Sequence, residues 1–352
     1  MKLIRIIFCL ILVTLINTSA SAKNRYIVPY FNLSSGFEGF SLGCRYLDRY
    51  FLKKPQILDI QGSFTFKNKQ QAYSIDYIRF FKNDNLRILF AYENLYRGFY
   101  GLYNDSYLSL ESVYRSIGRY INISYTKNIN NNYFTLGYIY DDVNLIINKD
   151  YGILSIGDFY GENGGRFNGL YFSYNRSNLD NYYNPHKGYR IYYSDKIISK
   201  YLGANYDFRM YNLNLKYYLP LGKTTLASMI NWGAQKGDLP FYRMFSLGGS
   251  YSLRGYTSDR FRGKGVVNTS IEWRVPLFKP IKLFGYNLKL QGAIFFDAGK
   301  VAKSFQYLSI NDWHKSYGAG FRVIADDNFV LRFDLAKSPE TYSYYFVFDH
   351  AF

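Results

Sequence analysis

Cysteine is nearly absent: Cys9 and Cys44 are the two in 352 residues. Cys9 lies inside an N-terminal apolar run and follows Phe8, so it does not read as a lipidation site and is expected to leave with that run. Cys44 then has no partner in the chain, which excludes a disulfide framework and leaves it as a small strand side chain. Histidine is as scarce: His186, His314 and His350 stand far apart without ligand spacing, so no metal site is expected. After Ala22 nothing approaches 18 uninterrupted apolar residues, which excludes a membrane-spanning helix. Negative charge is in deficit too, with 26 Asp and Glu against 43 Lys and Arg and a formal net charge of +17.

What is abundant is aromatic: 40 Tyr and 30 Phe, mixed with charge along the whole length. A disordered basic tail is poor in aromatics, so this is a folded chain whose apolar residues are spread rather than blocked. The segment MKLIRIIFCLILVTLINTSASA has Lys2 and Arg5, an apolar run from Ile6 to Ile16, and an Ala20-Ser21-Ala22 ending. Residues 1–22 therefore read as a secretory signal cleaved after Ala22, the run being shorter than the roughly 20 residues that spanning requires. An exported chain without a membrane helix is soluble or sits in the outer membrane, where only a closed barrel satisfies every non-helical backbone group in lipid.

Periodicity separates these two. In VNTSIEWRVPL, Val267, Thr269, Ile271, Trp273, Val275 and Leu277 share one face, opposite Asn268, Ser270, Glu272 and Arg274. In KLQGAIFFDAG, Leu290, Gly292, Ile294 and Phe296 oppose Lys289, Gln291, Ala293, Phe295 and Asp297. In NFVLRFDLA, Phe329, Leu331, Phe333 and Leu335 oppose Arg332 and Asp334. Such segments recur to the last residue, separated by turn sequences such as FKNDN, KNINNN and YNPHKG, with aromatics toward strand ends as interface girdles require. The chain closes on TYSYYFVFDHAF, whose Tyr342, Tyr344, Phe346, Phe348 and Phe352 share a face interrupted by His350. Phe346, Phe348 and Phe352 are thus expected to act as a barrel insertion signal, because a soluble edge strand with this face would invite aggregation.

The expected fold is all-β, a 16-stranded antiparallel transmembrane barrel. Residues 23–35 form an N-terminal periplasmic segment, and 36–352 the barrel, with strands from 36–47 to 342–352 and one at 151–158. The longest connection, 236–265, lies before strand 12 and contains FSLGGSYSLRGY. Its glycines, Gly248 and Gly249, suit shaped backbone rather than helix or strand. Alternation sends Glu272 and Asp297 into the lumen, and an inward-folded loop would bring Arg254 to them. A guanidinium with five donors bridges two carboxylates and needs them once it leaves water.

FSLGGSYSLRGY resembles the loop motif of the BamA/TamA (bacterial surface antigen, D15-type) superfamily, a V/L-R-G-F/Y in a long extracellular loop folded into the barrel. Leu253, Arg254, Gly255 and Tyr256 stand at its positions. GDLPFYRMF before it, GVVNTSIEWRVPL and FFDAG after it, and RSNLDNYYNPHKGYR upstream are similar to the family's neighbouring segments, covering roughly 170 to 352. The resemblance implies a role in inserting or translocating protein or lipid, through a weak seam between first and last strands, with no bond chemistry and no cofactor. Strand pattern begins soon after residue 23, so a barrel-only member without POTRA domains is expected. Periplasmic partner proteins would supply those domains, and unfolded outer-membrane proteins are the implied clients.

Other chemistry is refused. LGKTT at Leu221 to Thr225 ends like a phosphate loop, but Tyr217 stands where its first glycine is needed. GGSYS has Ser252 in place of the last glycine of a nucleophile elbow. No enzyme activity is expected. Removing Lys2 and Arg5 from +17 leaves +15, for which outer-membrane lipid and anionic lipopolysaccharide are simpler partners than nucleic acid, and a lumen bearing Arg274, Arg322 and Arg332 a second home. The alternatives are a passive channel and the membrane carrier of a separately encoded enzyme.

Overall fold

The computed structural model describes residues 25–34, 40–66, 68–104, 106–283, 286–309, 311–326, 329–348 and 350–352; the expected signal at 1–22 lies outside them. Sixteen wall strands run in chain order: β1 (Arg25–Ser34), β2 (Phe40–Asp48), β3 (Gln56–Thr65), β4 (Gln70–Phe81), β5 (Asp84–Phe99), β6 (Ser112–Ile129), β7 (Asn132–Ile147), β8 (Gly169–Ser177), β9 (Gly188–Ile198), β10 (Phe208–Leu221), β11 (Thr224–Gly237), β12 (Gly265–Pro276), β13 (Tyr286–Ala302), β14 (His314–Ala325), β15 (Phe329–Lys337) and β16 (Tyr342–Phe348). Each pairs antiparallel with the next, and β16 returns to β1 to form a nearly closed barrel.

Local chemistry sets the hairpins. Between β6 and β7 the turn residues Asn130 and Asn131 have φ of 51° and 63°, the left-handed pair whose twist matches the flanking strands. Gly222, with φ 60°, turns β10 into β11, so LGKTT is a hairpin. An even strand number puts the start of β1 and the end of β16 at one rim, which also holds the short turns; the long connections crowd the other. Short turns mark the periplasmic rim of such barrels.

Alternation sorts the wall. On β12, Ser270, Glu272 and Arg274 are buried, whereas Ile271 and Trp273 are 47% and 45% exposed on the lipid side. On β13, Phe295 and Asp297 are buried, whereas Ile294 and Phe296 are 56% and 43% exposed.

Two expected elements are corrected. Residues 151–158 are no wall strand: Ile153–Ile156 is a single helical turn after Gly152, whose φ is 78°. Leu154 there is fully buried, and its N–H donates to Ser112 Oγ at 2.9 Å. Residues 25–34, expected in a periplasmic segment, form β1, paired with β2 from Arg25 opposite Asp48 to Leu33 opposite Phe40. Pro29 lies inside it, and β1 borders the seam, where a missing N–H is tolerated. The last strand also stops at Phe348 rather than at 352.

Candidate functional site

The connection between β11 and β12, residues 238–264, folds into the lumen. It holds a small hairpin, Phe245–Leu247 against Phe261–Gly263. Gly248 has φ 120°, and a Cβ there would lie 2.0 Å from the Thr257 oxygen; Gly255 has φ 91°, with Lys337 and Ser338 backbone 3.1 Å from a Cβ. Both positions therefore demand glycine. Gly249, φ 85°, donates its N–H to the Tyr256 oxygen at 3.0 Å.

The hairpin tip delivers Arg254, 1% exposed, to the inner wall of β12–β16. Its Nε and Nη2 donate to the two Asp297 oxygens at 2.8 Å each, a bidentate fork. Nη1 donates to Glu272 Oε2 at 3.1 Å and to Asp334 Oδ2 at 3.0 Å, and Nη2 to Ser270 Oγ at 3.2 Å. The guanidinium carbon lies 3.4 Å from the centre of the Phe295 ring. Burial opposes the Arg254 charge, but Asp297, Glu272 and Asp334 outweigh it and raise the guanidinium above its ordinary pKa.

The structure thus brings Arg254, Glu272 and Asp297 together, and three further wall arginines join them. Arg322 bridges Glu272 at 2.9 Å and Asp334 at 2.7 Å; Arg332 reaches Asp334 at 2.7 Å; Arg274 reaches Glu272 at 3.1 Å. Gly255 N–H donates to Tyr345 Oη at 3.0 Å, and Tyr345 donates to the Tyr256 oxygen at 3.3 Å, tying the loop to β16. Asp334, Ser270 and Tyr345 were not foreseen. Asp334 lay on the polar face of its strand, but only register across three strands shows that it meets Arg254.

The loop is anchored elsewhere too. Arg260 forks onto Glu340 at 2.7 and 2.8 Å and donates to Ser106. Asp259 pairs with Arg262 at 2.9 Å; burial disfavours its charge, but Arg262 and Arg97 prevail and hold its carboxyl below the usual range. On the far wall Arg243 reaches Asp141 at 2.5 Å, and the Phe241 ring lies 4.5 Å from Phe99 and 5.4 Å from Tyr114. A loop held to both walls divides the lumen. Beside it remains a cavity of about 480 Å³ lined by Tyr30, Tyr73, Glu93, Asp141 and Lys196.

Among the described residues, β1 and β16 pair at two positions, Leu33 with Phe346 and Ser34 with Tyr345, where β1 and β2 pair at nine. Aromatic rings add to the ladder: Phe31 is 5.3 Å from Phe346 and 5.4 Å from Phe348, centre to centre. Phe352, expected on the outward face with them, instead turns inward. It is buried with Ala351 against Tyr218, Ala227 and Met229, and Arg274 lies 5.6 Å from its ring. His350 is buried as well and meets Asn184 at 3.3 Å, which explains why this residue breaks the apolar face.

These features define a transmembrane β-barrel of the Gram-negative outer membrane with a loop folded into its lumen. The Omp85 superfamily domain matches residues 30–349, and the chain belongs to that superfamily. No curated protein matches the sequence significantly. Among solved structures it is similar to BamA from Haemophilus ducreyi lacking POTRA domains 1–3, with TM-score 0.67 and 19% identity over 94% of this chain and 70% of that one. It is also similar to CdiB from Acinetobacter baumannii, with TM-score 0.61 and 14% identity over 91% of this chain and 59% of that one. For CdiB from Escherichia coli the TM-score is 0.66 and the identity 10%, over 92% of this chain and 62% of that one. The chain spans less than two thirds of either CdiB, and at these identities the likeness is one of fold.

Proposed function

We propose that this barrel aids the insertion or translocation of protein at the outer membrane, with the β1–β16 seam as the place where a client meets the wall. The observation that carries the reading is that, among the described residues, β1 meets β16 only at Leu33 and Ser34, while Arg25 to Asn32 pair with β2 alone. Strand edges without partners offer N–H and C=O groups to an incoming strand, and lipid supplies none in their place. The inward turn of Ala351 and Phe352 supports it, since these residues pack in the lumen and, among the described residues, do not extend the ladder along β1. Lipid as cargo, periplasmic partners and unfolded barrel clients belong to the same proposal. The loop that crosses the lumen favours this reading over a wide passive channel.

A disulfide across the seam tests it. Leu33→Cys with Phe346→Cys joins residues that face each other in register. In liposomes the reduced variant should speed the folding of an added unfolded eight-stranded outer-membrane barrel, followed by protease protection. Oxidation should abolish the gain, and reduction restore it. Equal activity of the locked and open forms would sink the seam as the route.

A further inference from the structure

We infer that the barrel binds a phosphorylated glycolipid of the outer leaflet, lipopolysaccharide, on its lipid-facing wall through Arg115, Arg119 and Arg166. Facing follows from β6. Tyr114 and Ser116 are buried and line one lumen cavity, and Gly118 and Tyr120 line another. Strand alternation therefore turns Arg115, Ile117, Arg119 and Ile121 away from the lumen, in line with Ile123 and Tyr125, each 45% exposed.

Depth follows from spacing. Below Arg119 the outward residues of β6 are apolar or aromatic until Lys127. Those eight positions, at about 3.3 Å each and a tilt of about 40°, rise roughly 20 Å, close to the height of the apolar belt of such a barrel. Arg119 thus marks the belt's edge at the long-loop rim, and Lys127 its edge at the short-turn rim.

A two-residue strand in the connection after β7, Gly165–Arg166, pairs with β7 and brings a second cation to the same level. Asp142 on β7 stands opposite Arg119, and Arg166 stands opposite Asp142. Arg115 is held in place by donating from Nε to Asn94 Oδ1 at 2.6 Å. Arg119 and Arg166 are exposed, and among the described residues neither side chain has a hydrogen bond or ion pair. Three guanidiniums against the one Asp142 carboxylate leave the patch at +2. Elsewhere on the outer wall Arg209 has its own acid, Asp195, so an outward arginine by itself makes no such patch.

Cations in excess of acids at the border of hydrocarbon call for an anion at that level. The guanidinium fork fits phosphate oxygens, and Ile121 and Ile123 below Arg119 offer a surface for acyl chains. Phosphate above and acyl chains below is the chemistry of a phosphorylated glycolipid, and the long-loop rim is the one that faces the outer leaflet.

The full barrel, refolded without lipid, is titrated with lipopolysaccharide. Each Arg→Gln change at 115, 119 or 166 should weaken binding about fivefold, and the triple variant on the order of a hundredfold. Lys127→Gln, at the opposite edge, should bind as the unaltered protein does. Arg119→Gln alone settles the matter if the triple variant does not fold, because that side chain has no protein partner to lose. The proposal fails if these variants keep full affinity, if dephosphorylated lipopolysaccharide or phosphatidylglycerol binds as well, or if inorganic phosphate displaces the glycolipid.

Discussion

Arg254 sits at 1% exposure with three carboxylates in reach, and its charge is stable there only because each acid comes from a different wall strand. The arrangement is unforgiving of partial loss. Arg254→Ala leaves Glu272, Asp297 and Asp334 buried with Arg274, Arg322 and Arg332 alone, and breaking a buried pair in this way costs about 3–5 kcal/mol. We expect the folded barrel to unfold at lower temperature or denaturant, read by the mobility shift between folded and heated protein on gels. Arg254→Lys should recover little, since an ammonium cannot reproduce the fork onto Asp297 or the stacking on Phe295. If the lysine variant matches the unaltered protein, net charge and not the planar fork holds the loop.

Between β1 and β16, rings add to the two ladder positions seen among the described residues. Phe31 touches Phe346 and Phe348, and ring pairs contribute about 0.5–1.5 kcal/mol each. Phe31→Ala should therefore weaken the seam by about 1–3 kcal/mol. It should also slow disulfide formation between cysteines at 33 and 346, timed under fixed oxidant; an unchanged rate would leave the rings no part in closure. This contact is not legible in the sequence, where 23–35 reads as a periplasmic segment and alternation alone does not name the partner of a strand. The count of sixteen nevertheless came out right, since a strand lost at 25–34 was balanced by one wrongly placed at 151–158. Alternation was legible wherever lipid and lumen differ in polarity, as on β12, where Glu272 and Trp273 part company. It could not show the inward turn of Phe352, since an aromatic ring suits the Tyr218 and Met229 cluster as well as it suits lipid.

Taken whole, the molecule is a cylinder whose lumen is crossed by one loop. Arg254 and Arg260 fasten the 238–264 loop beside β12–β16, and Phe241 and Arg243 fasten it beside β5–β7. The cavity of about 480 Å³ next to it is lined by Glu93, Asp141 and Lys196, polar enough to hold water but bounded by the loop. A barrel of sixteen strands without such a plug leaves an aqueous channel. In planar bilayers the intact protein should therefore pass small, irregular currents, and deletion of residues 240–262 should give large, steady ones. Arg254→Ala should fall between, because the Arg260 and Arg243 anchors remain when the Arg254 contacts are lost. Large steady current from the intact protein would instead make the lumen the working path, and the seam between β1 and β16 would lose its claim to be the place where clients enter.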